Sequence, residues 1–288
     1  MAIFASPVTL IPATPQRLWG APAVANFALG GLGAGLYLAA AAAAVLGGSP
    51  AIALAGWIGP ALALAGLAAV AAEAGRPLRG ARVVRRVRTS WMSREALLGG
   101  AFIALAVADA LAPVPALRLL ASLAAGGFVV AQGLLVRDAR GVTAWAVPAM
   151  PAVFAASAAT SGVGALLALE VAGGRPLTGA LLGATLAILA LAMVVWLGYV
   201  TWSDDEAFRE ATRPLREGAS AVAVTGGGYV LPFALATAAL VSGLAAPALV
   251  AGALMALAQV HAKWLLVVGA GRLWPIALRS LGLQRRPS

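Results

Sequence analysis

The chain has 288 residues, of which 62% are hydrophobic and only 10% charged, with a mean hydropathy of +0.94. A soluble domain averages roughly 45–50% apolar and about 25% charged, so an ordinary soluble enzyme and a disordered chain are excluded. The net charge of +10 does not mark a nucleic-acid module, because the arginines separate long apolar runs and form no basic domain.

A bilayer-crossing helix needs about 20 apolar residues. In chain order the sequence predicts eight: 22–46, 51–73, 95–113, 116–136, 149–171, 178–201, 219–243 and 247–270. This is an all-α polytopic membrane protein, one integral membrane domain over 1–288, with an eight-helix bundle and both termini on one side. The first helix is too long and starts too late for a cleaved signal peptide, and no basic segment precedes it. Gly31 and Gly35 lie four apart on that helix, and Gly226, Gly227 and Gly228 open the seventh. Small residues at such spacing let backbones approach in lipid. Gly31-x-Gly33 is no nucleotide loop, since no strand precedes it.

Even helix number places residues 1–21, 74–94, 137–148, 202–218 and 271–288 on a shared face. That face carries 17 of the 20 Lys and Arg residues, whereas the opposite face has Arg118 and Arg175. The positive-inside rule then predicts a cytoplasmic basic face, with N- and C-termini inside the cell, in the inner (cell) membrane of a bacterium or archaeon. Trp19, Trp91, Trp145, Trp202 and Trp274 are expected to form an aromatic belt there. The Arg-rich loop 74–94 holds seven Arg and no acid; it is read as a topology determinant on anionic lipid and as a docking surface. The charged loop 202–218 interleaves acids with Arg209, Arg213 and Arg216, as a short solvated helix would. The tail 271–288 is basic.

Ionisable groups in hydrocarbon are costly and mark function by default. Glu73, Glu95, Asp109, Glu170, His261 and Lys263 are the candidates. Asn26, Glu73, Glu95, His261 and Lys263 fall in the basic-face half if the helices pack together. Asp109 and Glu170 fall near the other face, where interfacial solvation or a pair with a nearby Arg is the simpler reading. A quinone needs donors for two carbonyls, a proton route and an apolar slot. Glu95 could move the proton, with Arg94 beside it to hold it ionised. Asn26, Arg76, His261 or Lys263 could donate, and Trp91 could wall the ring. Structural alternatives stay open: Lys263 snorkelling to the basic face, an interhelical hydrogen bond for His261, and Glu73 and Glu95 clamping the Arg-rich loop. With no Cys and one His, no haem held by two histidines, thiolate-bound Fe–S cluster or other metal site is expected in this chain.

Gly75-Arg-Pro-Leu-Arg79, followed by Thr89-Ser-Trp-Met-Ser-Arg-Glu-Ala96, resembles the loop between helices two and three of dimethyl sulfoxide reductase membrane-anchor subunits. Asn26-Phe-Ala-Leu-Gly-Gly-Leu-Gly-Ala-Gly35 is similar to the glycine-rich first helix of the related NrfD and polysulfide reductase membrane subunits. The resemblance implies a membrane anchor of a molybdopterin oxidoreductase complex, without metal of its own, that binds ubiquinone or menaquinone. A ferredoxin-like four-cluster Fe–S subunit would dock on the Arg-rich face and connect it to a molybdopterin catalytic subunit. The family's glutamate at the start of helix three falls on Glu95, and the asparagine of the polysulfide reductase branch falls on Asn26. The family's histidine before the loop falls near Glu73, which is a departure. A transporter or channel, and a structural anchor without a quinone site, are the competing functions.

Overall fold

The computed structural model describes residues 9–45, 52–73 and 86–277. Arg76, most of the Arg-rich loop and most of the basic tail lie outside them. The elements run β1 (Thr9–Ile11), α1 (Ala21–Val45), α2 (Ile52–Glu73), α3 (Trp91–Leu111), α4 (Pro115–Asp138), α5 (Met150–Ala172), α6 (Gly179–Val200), the short α7 (Glu206–Ala211) and α8 (Arg213–Arg216), then α9 (Gly218–Ser242), α10 (Ala245–Gly269) and β2 (Ile276–Ala277). α9 is a π-helix over Val222–Val230, and α10 ends in a second π-helical run over Leu265–Gly269.

Among the described residues, α1, α2, α4, α5, α6, α9 and α10 are seven helices long and apolar enough to cross a membrane. The fold is that of an all-α, polytopic, integral membrane protein. The expected eighth segment is also a helix, α3, 21 residues long, and it carries Arg94, Glu95 and Asp109. It packs against α2 and α4. The helix ends follow local chemistry. Pro115 stands in the first turn of α4, where its missing N–H costs nothing. Thr178 Oγ1 accepts from Leu181 N at the start of α6. Gly243 ends α9 in the left-handed conformation (φ +71°), with its N–H on Ala239 O.

α1 and α5 are the most enclosed helices, and glycine is the reason. A Cβ on Gly35 would enter the Ala158 carbonyl, and one on Gly162 would enter the backbone of Gly35 and Leu36. Gly33 meets the backbone of Gly59 on α2 in the same way, and Gly164 meets that of Gly252 on α10. Lipid tails are as apolar as leucine, so close backbone packing, more than hydrophobic burial, holds such helices together. Of the two glycines expected to allow close approach on the first helix, Gly35 makes the tight crossing, whereas a Cβ at Gly31 would have only ordinary contacts. Gly226, Gly227 and Gly228 instead fall inside the π-helical run, where only Gly228 is tight, its Cβ position 2.7 Å from Ala258 Cβ.

One end of the bundle is closed by three segments. β1 pairs antiparallel with β2, Leu273 N donates to Thr14 O (2.8 Å), and Thr143 N donates to Arg272 O (3.0 Å). Gln16 Nε2 reaches Val267 O, Trp145 Nε1 reaches Leu266 O (2.8 Å), and the Tyr199 hydroxyl donates to Ala144 O (3.0 Å). The segments flanking the first and last long helices thus meet. The aromatic belt is corrected here: Trp202 and Trp274 are exposed, but Trp145 is buried and stacks on Trp19 at 4.9 Å. The charged loop is helical, as expected. Asp205 Oδ1 caps α7 by accepting from Ala207 N and Phe208 N.

Candidate functional site

Three helices each contribute one polar side chain to a buried knot. Glu95, in the second turn of α3, turns inward and is 4% exposed. Asn26 Nδ2 on α1 donates to its Oε1 at 2.7 Å, and Gln132 Nε2 on α4 donates to the same oxygen at 3.3 Å. Gln132 Nε2 also reaches the Asn26 carbonyl at 3.3 Å. Small residues make room. A Cβ at Gly30 would lie 2.8 Å from Gln132 Nε2, and one at Gly66 on α2 would lie 3.0 Å from Asn26 Cα. Asn26 Oδ1 and Gln132 Oε1 are buried without a hydrogen-bond partner. The knot therefore holds more lone pairs than donors, a demand for an O–H or N–H group at the amide oxygens.

Arg94 does not join Glu95. Its Nε donates to Val87 O and its Nη2 to Arg88 O, both at 2.8 Å, while its guanidinium lies 4.2 Å above the Trp91 ring. The reason is helical geometry: adjacent residues on a helix point about 100° apart, so Arg94 folds back to the loop while Glu95 points into the bundle. Trp91 is a half-buried platform for Arg94. Glu73 is exposed at the end of α2 and stays apart from the knot. His261 is half-buried on α10 and makes no side-chain hydrogen bond among the described residues, so the interhelical bond, its structural alternative, is not formed there. Arg76 lies outside the described residues.

Lys263 stays within the bundle. It is 4% exposed, so it does not snorkel, and its Nζ sits 3.2 Å from the centre of the Phe154 ring. Phe154 packs edge-on against Phe27, and Phe27 against Trp19, so an aromatic column leads from the closed end to the ammonium. At the other end of the bundle the carboxylates take Arg partners as expected. Arg118 Nε donates to Asp109 Oδ2 at 3.3 Å, and the Tyr37 hydroxyl donates to the same oxygen at 2.9 Å. Arg175 pairs with Glu170 at 3.5 Å.

Sequence reasoning brought Asn26 and Glu95 to one place and missed Gln132. The available signal was a lone amide in the middle of an apolar helix, which lipid would not accommodate unpaired. Gln259, which shares the Lys263 region, carried the same signal. No family model matches the chain, and no curated protein matches it.

Proposed function

We propose that this chain is the membrane-embedded, quinone-reactive subunit of an oxidoreductase complex, with Glu95 as the group that exchanges a proton with the quinol or quinone. The observation that carries this reading is the Asn26–Glu95–Gln132 knot. Its carboxylate is buried and bound only by neutral amides, so it can gain or lose a proton without breaking an ion pair. The two unpartnered amide oxygens complement hydroxyl donors, and the quinol has two. Asn26, Gln132 and Glu95 would hold such a head group by its oxygens. The quinone itself, when bound, supplies the two-electron chemistry. The motif that resembles the molybdopterin-complex anchors includes Glu95, which supports the same assignment.

In this reading α3 is the eighth crossing. Its inward charges are satisfied within the bundle: Glu95 by two amides, Asp109 by Tyr37 and Arg118. Eight crossings put both chain ends on the basic, cytoplasmic face, in keeping with the β1–β2 pairing. An Fe–S subunit would dock on that face and pass electrons to or from a molybdopterin subunit.

The test is Glu95→Gln, which keeps shape and removes the proton acceptor. Quinone-coupled turnover of the purified complex should fall about 100-fold if proton transfer limits the rate, while turnover with a soluble artificial electron carrier persists. Equal loss of both activities would assign Glu95 to assembly, and unchanged quinone turnover would remove it from the mechanism.

A further inference from the structure

Four charged side chains are buried among the described residues: Glu95, Asp109, Glu170 and Lys263. Asp109 and Glu170 are paired with Arg, and Glu95 is held by amides. Lys263 makes neither an ion pair nor a hydrogen bond with any described residue, and its one electrostatic partner is the Phe154 ring. An ammonium carries three N–H donors, and a ring face serves one at most.

The space around it explains where the others go. Two cavities of about 10 Å³ flank the side chain. A cavity of that size holds about one water, provided polar partners are present. They are. Ser157 and Gln259 line both cavities; Tyr229 completes the one toward α6 and α9, and Ser161 the one toward α1. Gln259 Nε2 is buried beside the Tyr229 hydroxyl and has no acceptor at full hydrogen-bonding geometry. Both π-helical runs reach the first cavity, through Tyr229 and Leu266. Such runs widen a helix and recur at functional sites.

The composition points the same way. Lys263 is the only lysine of the chain, and the other 19 cations are arginine. Arginine keeps its proton under all protein conditions, whereas lysine can release one. The one such cation occupies the one buried cationic position among the described residues.

We infer that Lys263 is a proton-exchanging group, which releases and regains an Nζ proton through a single water in each flanking cavity. The proton passes from the ammonium to the water oxygen, leaving the neutral amine, and returns by the same route; no electron moves. The lining of the cavity toward α1 includes Gly31, where a Cβ would lie 4.0 Å from Gln132 Oε1, the unpartnered acceptor of the Glu95 knot. No titratable side chain of α1, α5 or α6 lines either cavity. Tyr229 of α9 is the one other titratable side chain that does, and His261 of α10 lines neither.

The test uses the full chain in lipid bilayers, labelled with ¹⁵Nζ-lysine, which gives one signal because there is one lysine. No quinone is added, so the result is independent of the function proposed above. Ammonium protons exchange only by way of the free amine. The expected result is magnetisation transfer from water to Nζ, and replacement of the Nζ protons within minutes in D₂O. Gln259→Leu and Ser157→Val each remove a polar partner of the water and should slow exchange about tenfold, the worth of one hydrogen bond. Nζ protons that persist for hours, a signal without water contact, or exchange unaffected in both folded variants would overturn the inference.

Discussion

Substituting alanine at Gly31 and at Gly35 should have opposite consequences, although the two glycines lie one helical turn apart on α1 and both are buried. At Gly31 the new methyl would meet Ala158 Cβ at 3.8 Å and Gln132 Oε1 at 4.0 Å, ordinary van der Waals contacts. The helix then gains what alanine gives over glycine, about 0.5–1 kcal/mol. At Gly35 the methyl would enter the Ala158 carbonyl and lie 2.7 Å from its carbon and 3.3 Å from Gly162 Cα. These are backbone atoms, so no rotamer relieves the clash. α1 and α5 must part by more than an ångström, along a crossing that also seats the Phe27–Phe154 pair. Overpacking of this kind costs about 1–3 kcal/mol, and because the helix gain of alanine is common to both positions, the two variants should differ by about that cost. Reversible unfolding in mixed micelles, followed by helical circular dichroism, measures the difference against wild type. Equal midpoints, or a larger loss at Gly31 than at Gly35, would show that backbone approach does not set the α1–α5 crossing.

Reporter fusions in the loop around Arg140 and at the C-terminus should both read cytoplasmic, since 17 of 20 Lys and Arg residues fall on that face; periplasmic readings at both sites reverse the orientation. Arg118→Ala leaves the buried Asp109 with the Tyr37 hydroxyl alone and should cost about 1–3 kcal/mol, moderated because Arg118 is 29% exposed. Asp109→Asn in the same background should recover most of the loss, and a single variant as stable as wild type would show that the pair carries no stability. The purified chain should show no haem absorption band and bind no iron, because one His and no Cys offer too few ligands; stoichiometric haem would refute this.

The sequence by itself determined the long helices, to within a few residues, because hydrocarbon thickness imposes a length that composition reveals directly. It also placed Asp109 and Glu170 near the face that holds Arg118 and Arg175, and the pairs form because those partners lie only nine and five residues away, across one turn between helices or at one helix end. Which way each helix faces was decided by the tertiary structure. Helices apolar on every side have no lipid-averse face to read, so hydropathy leaves their rotation open. Glu95 therefore meets Asn26 and Gln132 across 69 and 37 residues, while its neighbour Arg94 turns to the loop. For the same reason Lys263 lies on Phe154 between two one-water cavities rather than at the membrane surface: glycine crossings on α1 and α5 bring the helices to that distance, and no local pattern encodes their register.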